Sequence, residues 1–269
     1  MTRVAVVQMT SGAEVAANLA VASARVAEAR AAGATLVVLP ENFASMAAGE
    51  GAKRAIAEDD GTGPIQRALA ELARQHGVWL VGGTVPLRAS GDRTRAACLV
   101  FGPDGERRAR YDKIHLFDVE VPGGEVHRES RATEPGTDPV VVETAAGRLG
   151  LSVCYDLRFP ELYRELARRG ATLFAVPAAF TAVTGAAHWE VLLRARAIED
   201  QCWVLAAAQA GEHPGGRRTH GDTMVVDPWG EVVARLPEGA GLVVADIDPT
   251  RLVGLRQRFP VLEHRRLTR

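Results

Sequence analysis

Cysteine is scarce in this sequence and is never clustered. Three cysteines, Cys98, Cys154 and Cys202, are spread over 269 residues without any C-x-x-C spacing. An odd number of widely separated cysteines argues against a disulfide framework and against a structural zinc site. The thiols are therefore expected to be reduced, and two of the three are expected to serve packing alone.

An excess of charge is also lacking. The chain carries 32 basic and 33 acidic residues, a net charge of −1, and no basic block longer than the HRR stretch near its end. Nucleic acids and anionic membrane surfaces attract clustered positive charge. The charge balance therefore favours neither of them as a partner.

Long apolar runs are missing as well. The opening MTRVAVVQMTSG has only a short apolar stretch, and the most apolar segment, TLFAVPAAFTAVTGAA, is interrupted by Pro177 and Gly185. A membrane span needs about 20 apolar residues, and a signal peptide needs a longer apolar stretch with a cleavage site. We therefore expect a soluble cytoplasmic protein.

Signatures of the common cofactor and metal enzymes are absent from the sequence. It contains no Ser nucleophile elbow, Walker loop, G-x-G-x-x-G or H-E-x-x-H motif. Four possible metal ligands, His115, Glu125, His127 and Glu129, fall within a polar segment, but their spacing matches no known site pattern. The sequence therefore predicts neither a metal nor an organic cofactor.

What is present is an alternation of apolar strands and amphipathic helices. Residues 4–9 and 35–39 are apolar strands, the second of the kind buried in a parallel sheet. Residues 14–31 and 64–76 place apolar side chains on one helical face, with Gly33 a plausible stop for the first helix and Gly77 the end of the second. VWLVGGTV at 78–85 is predicted to follow as a further strand. This pattern predicts an α/β fold.

The two halves of the chain resemble each other. GATLVVLP at 33–40 returns as GATLFAVP at 170–177, and PDGERRAR at 103–110 returns as PWGEVVAR at 228–235. Recurring strand and turn chemistry is the alternative explanation, but two matches in the same order favour a true repeat. The sequence predicts two copies of a β-α-β-α-β-β unit. They are joined by a long polar crossing segment, residues 114–138, of a kind that is often functional.

Three reactive side chains lie at the ends of predicted strands, where α/β proteins build their sites. Glu41 follows the strand LVVLP, Lys113 follows the hairpin of the first copy, and Cys154 ends the first strand of the second copy, where the first copy has Met9. Taken singly, each has a structural alternative. Glu41 could be a salt-bridge partner or a charge at a helix start, Lys113 a solvated surface charge, and Cys154 a small buried side chain.

Cys154 is the strongest candidate of the three. A helix predicted over residues 160–169 begins shortly after it, and a helix N-terminus lowers the pKa of a nearby thiol. A lysine would lower that pKa further, and a glutamate could accept the proton. The combination predicts a cysteine nucleophile.

In this order, LPENF, YDKIHLFDV, HRES and VCYDLRFPELY resemble the nitrilase superfamily of carbon–nitrogen hydrolases. The segments FTAVTGAAHWEVLLRARAIE, CWVLAAAQ and VVDPWGEVVAR are most similar to its deaminated glutathione amidase branch. The resemblance implies a single domain over residues 1–269, folded as a four-layer αββα sandwich of two pseudo-symmetric halves. It also implies a homodimer or higher homo-oligomer.

The resemblance also implies roles for particular residues. Glu41 would be the general base and acid, Lys113 the electrostatic stabiliser and Cys154 the nucleophile, with the backbone N–H of Tyr155 as a second oxyanion donor. Glu129 matches a second glutamate that helps to orient the site. The activity implied is cofactor-free hydrolysis of an amide through a thioester.

The substrate implied by the branch is the amide of deaminated glutathione, cleaved to 2-oxoglutarate and cysteinylglycine. Three related activities stay open: ω-amidase on 2-oxoglutaramate, N-carbamoyl amino acid hydrolase and nitrilase. A non-enzymatic thiol sensor or binding scaffold is a further alternative.

Four residues are expected at the substrate, and Tyr155, beside the nucleophile candidate, is one of them. Arg158 could hold a substrate carboxylate bidentately, or could pair with Asp156 or Glu161. Phe180 and Thr181 would help to line the pocket.

One segment departs from the family's pattern. Asp222 and Thr223 replace a His–Ser pair that relatives often have before Met-Val-Val-Asp-Pro. This departure puts local packing or a pocket wall in doubt.

Overall fold

The uniformly apolar segments form the parallel centres of two sheets. The computed structural model describes residues 1–49, 51–122, 124 and 126–267. The first half contains β1 (Thr2–Gln8), α1 (Val15–Ala31), β2 (Leu36–Val38), α2 (Ala52–Ala55), α3 (Pro64–His76), β3 (Trp79–Val81), β4 (Val85–Arg88), β5 (Thr94–Phe101) and β6 (Arg107–Asp112).

The crossing segment and the second half follow. The crossing segment contains β7 (Asp118–Glu120), β8 (Val126–Arg128) and a 3₁₀ turn (Glu129–Arg131). The second half contains β9 (Val141–Thr144), β10 (Gly147–Leu151), a 3₁₀ turn (Cys154–Arg158), α4 (Pro160–Arg168), β11 (Leu173–Ala175), α5 (Ala182–Asp200), β12 (Trp203–Ala206), β13 (Ala210–Glu212), a 3₁₀ turn (Pro214–Gly216), β14 (Arg218–His220), β15 (Thr223–Val226), β16 (Val232–Leu236), β17 (Gly241–Ile247) and α6 (Pro249–Arg258).

Each half contributes most of one sheet. One sheet has the order β17-β1-β2-β3-β5-β4, with β6 paired to β5, and the other has the order β16-β15-β12-β11-β10-β9. In each sheet the three central strands, β1-β2-β3 and β10-β11-β12, are parallel. One further pairing joins the two halves. β17, near the end of the chain, pairs antiparallel with β1 at its start.

The side chains of β1 alternate between two cores. Val4 and Val6 join the core that also contains the residues of the other sheet, whereas Ala5 and Val7 pack in the core with helices α1 and α3. Because successive side chains of a strand point to opposite faces, the sheet is covered on both sides. With α4 and α5 on the outer face of the second sheet, the predicted four-layer αββα sandwich is confirmed.

The register of the sheets confirms the correspondence between the halves. Val4 pairs with Leu36 across β1 and β2, and Leu149 pairs with Leu173 across β10 and β11. Five residues beyond Val4 lies Met9, and five residues beyond Leu149 lies Cys154. The nucleophile candidate therefore occupies the position of Met9 in the repeat, as predicted.

The predicted strand over 78–85 is wrong in one respect, because it is broken at Gly82 and Gly83. β3 ends at Val81 and β4 begins at Val85. Gly83 has a φ of 49°, and a Cβ added there would lie 2.0 Å from the carbonyl oxygen of Pro40. Only glycine fits so close an approach in the left-handed region without displacing the chain.

None of the helices in the described ranges is long and apolar enough to cross a membrane. The division of the chain into a single domain over residues 1–269 stays a prediction.

Candidate active site

Glu41 lies three residues after the end of β2 and is held by the neighbouring turn. Its chain leaves the sheet through Pro40, against which Gly83 packs closely. The next residue, Asn42, has a left-handed φ of 55° and donates its backbone N–H to Thr84 Oγ1 over 2.9 Å. The carboxylate of Glu41 is 3% exposed, so its position is determined by the core and not by solvent.

Lys113 follows β6 and is anchored by its backbone on both sides. Its N–H donates to the carbonyl of Ala96, and its carbonyl accepts from the N–H of Gly136. Its Nζ lies 2.9 Å from Glu41 Oε1 and 2.9 Å from Glu129 Oε2. Burial alone would lower the pKa of Lys113, but the carboxylates of Glu129 and Glu41 outweigh it and hold that pKa well above its ordinary value.

Glu129 begins the 3₁₀ turn of the crossing segment. Besides Lys113, its Oε2 accepts the N–H of Phe117 over 2.8 Å, and Lys53 Nζ lies 3.6 Å from its Oε1. Burial raises the pKa of Glu129, but Lys113 and Lys53 oppose it and lower that pKa to about 2. Glu129 is therefore ionised and holds Lys113 in place together with Glu41.

Cys154 begins the 3₁₀ turn that follows β10. Its N–H donates to the carbonyl of Pro177 over 2.9 Å, and its φ of 50° lies in the left-handed region, where non-glycine residues are strained. Asp156 stabilises this turn, because its carboxylate accepts the N–H of Val153 over 2.8 Å and the hydroxyl of Tyr111 over 2.7 Å. The strained backbone is held by these buried hydrogen bonds.

The expected lowering of the thiol pKa is wrong. Burial raises the pKa of Cys154 above its ordinary value, the charge of Glu41 raises it further, and Lys113 opposes both without overcoming them. Helix α4 begins only at Pro160, after the 3₁₀ turn, so its positive end does not decide the outcome. The thiol is therefore protonated at rest, and a base is needed to activate it.

A cavity of about 430 Å³ opens above these side chains. Glu41, Lys113, Cys154 and Glu129 all line it, and so do the four residues expected at the substrate: Tyr155, Arg158, Phe180 and Thr181. The structure thus brings together every site residue that the sequence suggests. A cavity of this size accommodates an ordinary metabolite.

Arg158 stands over two aromatic faces of this cavity. Its guanidinium carbon lies 5.8 Å from the centroid of the Tyr155 ring and 5.2 Å from that of Phe180. Its Nη1 lies 3.2 Å from Nδ1 of His188. Asp156, one of the two alternative partners of Arg158, instead accepts hydrogen bonds from Tyr111 and Val153 with its carboxylate.

The structure adds cavity residues that the sequence did not single out. Three are cationic: Lys53 from α2, Arg128 at the end of β8, and Arg217 after the 3₁₀ turn Pro214–Gly216. Arg128 lies within HRES, one of the segments that carry the resemblance, whereas Lys53 and Arg217 come from surface connections with no recognisable motif. No periodicity or spacing in the sequence could have brought them to the site.

The departure at Asp222 and Thr223 affects packing. Asp222 forms a bidentate pair with Arg235, with distances of 2.7 and 2.9 Å. Thr223 Oγ1 accepts the N–H of Ala208 over 3.0 Å. Neither residue lines the cavity described above.

Within the described ranges, no group of three or more His, Cys, Asp or Glu side chains could hold a metal ion. Of the four ligands weighed from the sequence, Glu125 lies outside the described residues. His115 Nδ1 lies 2.7 Å from Asp156 Oδ1, and Glu129 is engaged by lysines.

Comparison with known proteins defines the class. The family model for carbon-nitrogen hydrolases matches residues 3–257, so the chain belongs to that family. The chain is therefore a hydrolase of carbon–nitrogen bonds other than peptide bonds, and the resemblance to the nitrilase superfamily is confirmed.

Individual relatives show which members of the family the chain resembles. The chain is 45% identical, over 98% of its length and 92% of the relative's, to a deaminated glutathione amidase of Yersinia enterocolitica. Its structure resembles that of the NitFhit protein of C. elegans, with a TM-score of 0.92, 42% identity and coverage of 98% of this chain and 65% of the other. The chain thus spans less than two thirds of that protein's length.

A third relative bears on the cysteine. An amidase from Nesterenkonia sp. AN1 is 28% identical, with a TM-score of 0.80 and coverage of 97% of this chain and 98% of the other. Its structure contains the product of Michael addition of acrylamide at the active-site cysteine.

Proposed function

We propose that the chain is an amidase that hydrolyses deaminated glutathione through a thioester on Cys154. The observation that supports this most strongly is the buried cluster in which Lys113 Nζ lies 2.9 Å from both Glu41 and Glu129. These side chains and Cys154 line the same cavity. A base, a fixed cation and a thiol at one cavity are the groups that acyl transfer to sulfur requires.

Acylation begins with proton transfer from sulfur. Because the thiol pKa is raised, Glu41 takes the proton as Cys154 Sγ attacks the amide carbonyl carbon. The carbonyl π electrons move to oxygen. The ammonium of Lys113 and the N–H of Tyr155 stabilise this oxyanion, and one such donor contributes about 3 kcal/mol in other enzymes.

Collapse of the tetrahedral intermediate breaks the carbon–nitrogen bond. Protonated Glu41 gives its proton to the departing nitrogen, so the amine leaves neutral and a thioester remains on Cys154. Glu41 then accepts a proton from water as the water oxygen attacks the thioester carbon. The carbon–sulfur bond breaks, the sulfur regains a proton from Glu41, and the carboxylic acid leaves.

Lys113 acts in this scheme as a permanent cation. Its pKa is held well above the ordinary value by two carboxylates, so it does not exchange its proton during turnover. Glu129 acts as a positioning residue, because it is ionised and fixes the ammonium at 2.9 Å. The steps above require neither a metal nor an organic cofactor.

The substrate assignment rests on relatives and on the cavity. The Yersinia relative is a deaminated glutathione amidase, and Arg158 offers a guanidinium beside the aromatic faces of Tyr155 and Phe180. We assign Arg158 to the carboxylate of the 2-oxo acid half, with Phe180 and Thr181 against its carbon chain. The products are 2-oxoglutarate and cysteinylglycine.

The thiol sensor is less well supported. Redox-sensing cysteines have a lowered pKa and are accessible to solvent, whereas the pKa of Cys154 is raised and the residue is 8% exposed.

The proposal also includes a cytoplasmic location and assembly into a homodimer or higher homo-oligomer. A dimer is the commonest symmetric state of such assemblies.

Side-by-side kinetics test the substrate. The purified enzyme is given deaminated glutathione, 2-oxoglutaramate, an N-carbamoyl amino acid and a nitrile, with Cys154→Ala as the blank. The proposal expects the highest kcat/KM for deaminated glutathione. Comparable values for all the amides, or a preference for the nitrile, would show that the substrate assignment is wrong.

A further inference from the structure

We infer that Arg217 determines substrate specificity by binding the terminal carboxylate of the leaving dipeptide. This inference rests on the proposed function, because it concerns the half of deaminated glutathione that departs as cysteinylglycine. Arg217 is not one of the residues that perform the chemistry. It would set which amine half is admitted.

Arg217 has an unsatisfied guanidinium at the wall of the cavity. It is half-buried, and its Nη2 donates to the carbonyl of Ala179 over 3.1 Å. Its Nε is buried and has no hydrogen-bond partner among the residues that the structure describes. In the described part of the chain, no carboxylate forms an ion pair with Arg217. A guanidinium has five donors in a planar fork that matches a carboxylate, and with Nε buried and one Nη2 donor on Ala179, the donors left for a ligand are those of Nη1 and the second N–H of Nη2.

The position of Arg217 is fixed by the loop that carries it. His213, four residues earlier, is buried, with Nδ1 2.9 Å from the carbonyl of Ser11 and Nε2 2.7 Å from Thr219 Oγ1. Between them, Gly215 packs so close to Ala48 that an added Cβ would lie 2.7 Å from the Ala48 Cβ. A guanidinium on so well anchored a loop loses little freedom when it binds a ligand.

The bond to Ala179 places Arg217 beside the reacting centre. Ala179 immediately precedes Phe180, and both Ala179 and Cys154 line the cavity. Arg158 stands over the Phe180 ring, so both guanidinium groups border the same short segment after β11. The reacting carbonyl would thus have an arginine for each of the two halves of the substrate.

The charge of the cavity agrees with a substrate that has two carboxylates. The described lining residues include five lysine and arginine side chains and two carboxylates. Both of these carboxylates are engaged by lysines, which leaves Arg128, Arg158 and Arg217 as the excess. Deaminated glutathione has one carboxylate on each side of the scissile bond, the second about 7 Å beyond the nitrogen along an extended dipeptide. 2-Oxoglutaramate has only the first.

A chemical double-mutant cycle tests this assignment. The enzyme and Arg217→Gln are each given deaminated glutathione and its analogue with the glycine carboxylate converted to a carboxamide. For the unmodified enzyme we expect kcat/KM to fall about 10- to 100-fold on amidation, mainly through KM, because a charge-assisted hydrogen bond is lost. Arg217→Gln should have the lower value with both substrates, and Arg217→Lys should restore part of the difference.

Two controls make the outcome specific. Arg218→Gln changes the exposed neighbour on β14 and should discriminate between acid and carboxamide as the unmodified enzyme does. Activity on 2-oxoglutaramate reports whether the Arg217 variants keep an intact site.

The assignment is overturned if Arg217→Gln still discriminates between acid and carboxamide by the full factor. It is also overturned if this variant loses as much activity on 2-oxoglutaramate as on deaminated glutathione, since Arg217 would then bind the shared acyl half. Failure of the unmodified enzyme to cleave deaminated glutathione would instead remove the proposed function itself, and this inference with it.

Discussion

Lys113 Nζ lies 2.9 Å from Glu41 Oε1, and both side chains are almost completely buried. A second carboxylate, Glu129, approaches the same nitrogen at 2.9 Å. The fold thus stores two negative charges and one positive charge inside the protein, directly beside a protonated thiol. Burying these charges is expensive, because each has to be desolvated.

Removing the cation should therefore harm the fold as well as the reaction. Lys113→Met leaves Glu41 and Glu129 facing each other without a partner, and breaking a buried pair in this way costs about 3–5 kcal/mol. We expect a loss of that order in the free energy of unfolding, measured with urea, together with loss of amide hydrolysis. Lys53→Met is the matched variant. Its ammonium is one-third exposed and 3.6 Å from Glu129, so a loss of about 1 kcal/mol or less is expected. Equal losses for the two variants would contradict this account.

The stability of the protein should fall in acid partly through Glu129. The pKa of Glu129 is lowered from an ordinary 4.5 to about 2 in the folded state. A lowered carboxyl pKa contributes stability above the unfolded value, and that contribution is lost as pH falls from about 4.5 towards 2. The shift corresponds to roughly 3 kcal/mol. Glu129→Gln should have a shallower decline in unfolding free energy over this range, and a decline as steep as that of the unmodified protein would refute the assignment.

Glu41 should be essential for turnover and dispensable for alkylation of the thiol. Its negative charge raises the pKa of Cys154, so Glu41→Gln should lower that pKa while removing the base. We expect amide hydrolysis to fall by about 10²–10⁴-fold, as for loss of other general bases. Alkylation of Cys154 by iodoacetamide, followed by mass spectrometry, should be at least as fast as in the unmodified enzyme. A parallel fall in both rates would show that Glu41 acts by shaping the site and not as the base.

The turn at Gly83 should position Glu41 through its contact with Pro40. Gly83→Ala places a Cβ 2.0 Å from the Pro40 carbonyl, in addition to the strain of a positive φ. Displacement of the chain just before Glu41 should lower kcat and destabilise the fold by about 1–3 kcal/mol. Gly91→Ala has a similar φ of 62° with nothing within 4 Å of the added atom. That variant should show only the strain, about 1–2 kcal/mol, and retain full activity. Equal effects on kcat would exclude a positioning role for the turn.

Much of the architecture follows from local sequence patterns. The apolar strands, the helix ending at Gly77 and the internal repeat all predict the two related sheets. The register gives Cys154 the position in the second copy that Met9 has in the first. The residues of the reacting cluster follow from the resemblance, since Glu41, Lys113 and Cys154 lie in its most specific motifs.

Other properties depend on contacts that no local pattern contains. The helix after Cys154 suggests a lowered thiol pKa, but burial and the charge of Glu41, which comes from the other half of the chain, reverse the direction. Arg217 lies at the cavity on a loop that His213 anchors to Ser11, some two hundred residues earlier in the chain. The break in the strand at Gly83 likewise depends on the approach of Pro40.

The most direct test of the account is the chemical identity of the intermediate. The enzyme is mixed with deaminated glutathione, quenched in acid within the first turnover, digested and analysed by mass spectrometry. The account predicts a 2-oxoglutaryl thioester on the peptide that contains Cys154, and neither adduct nor turnover in Cys154→Ala. Cys98→Ala, which removes another buried thiol, should still form the adduct. Hydrolysis of the amide by Cys154→Ala, or an acyl group attached to a different residue, would contradict the central claim.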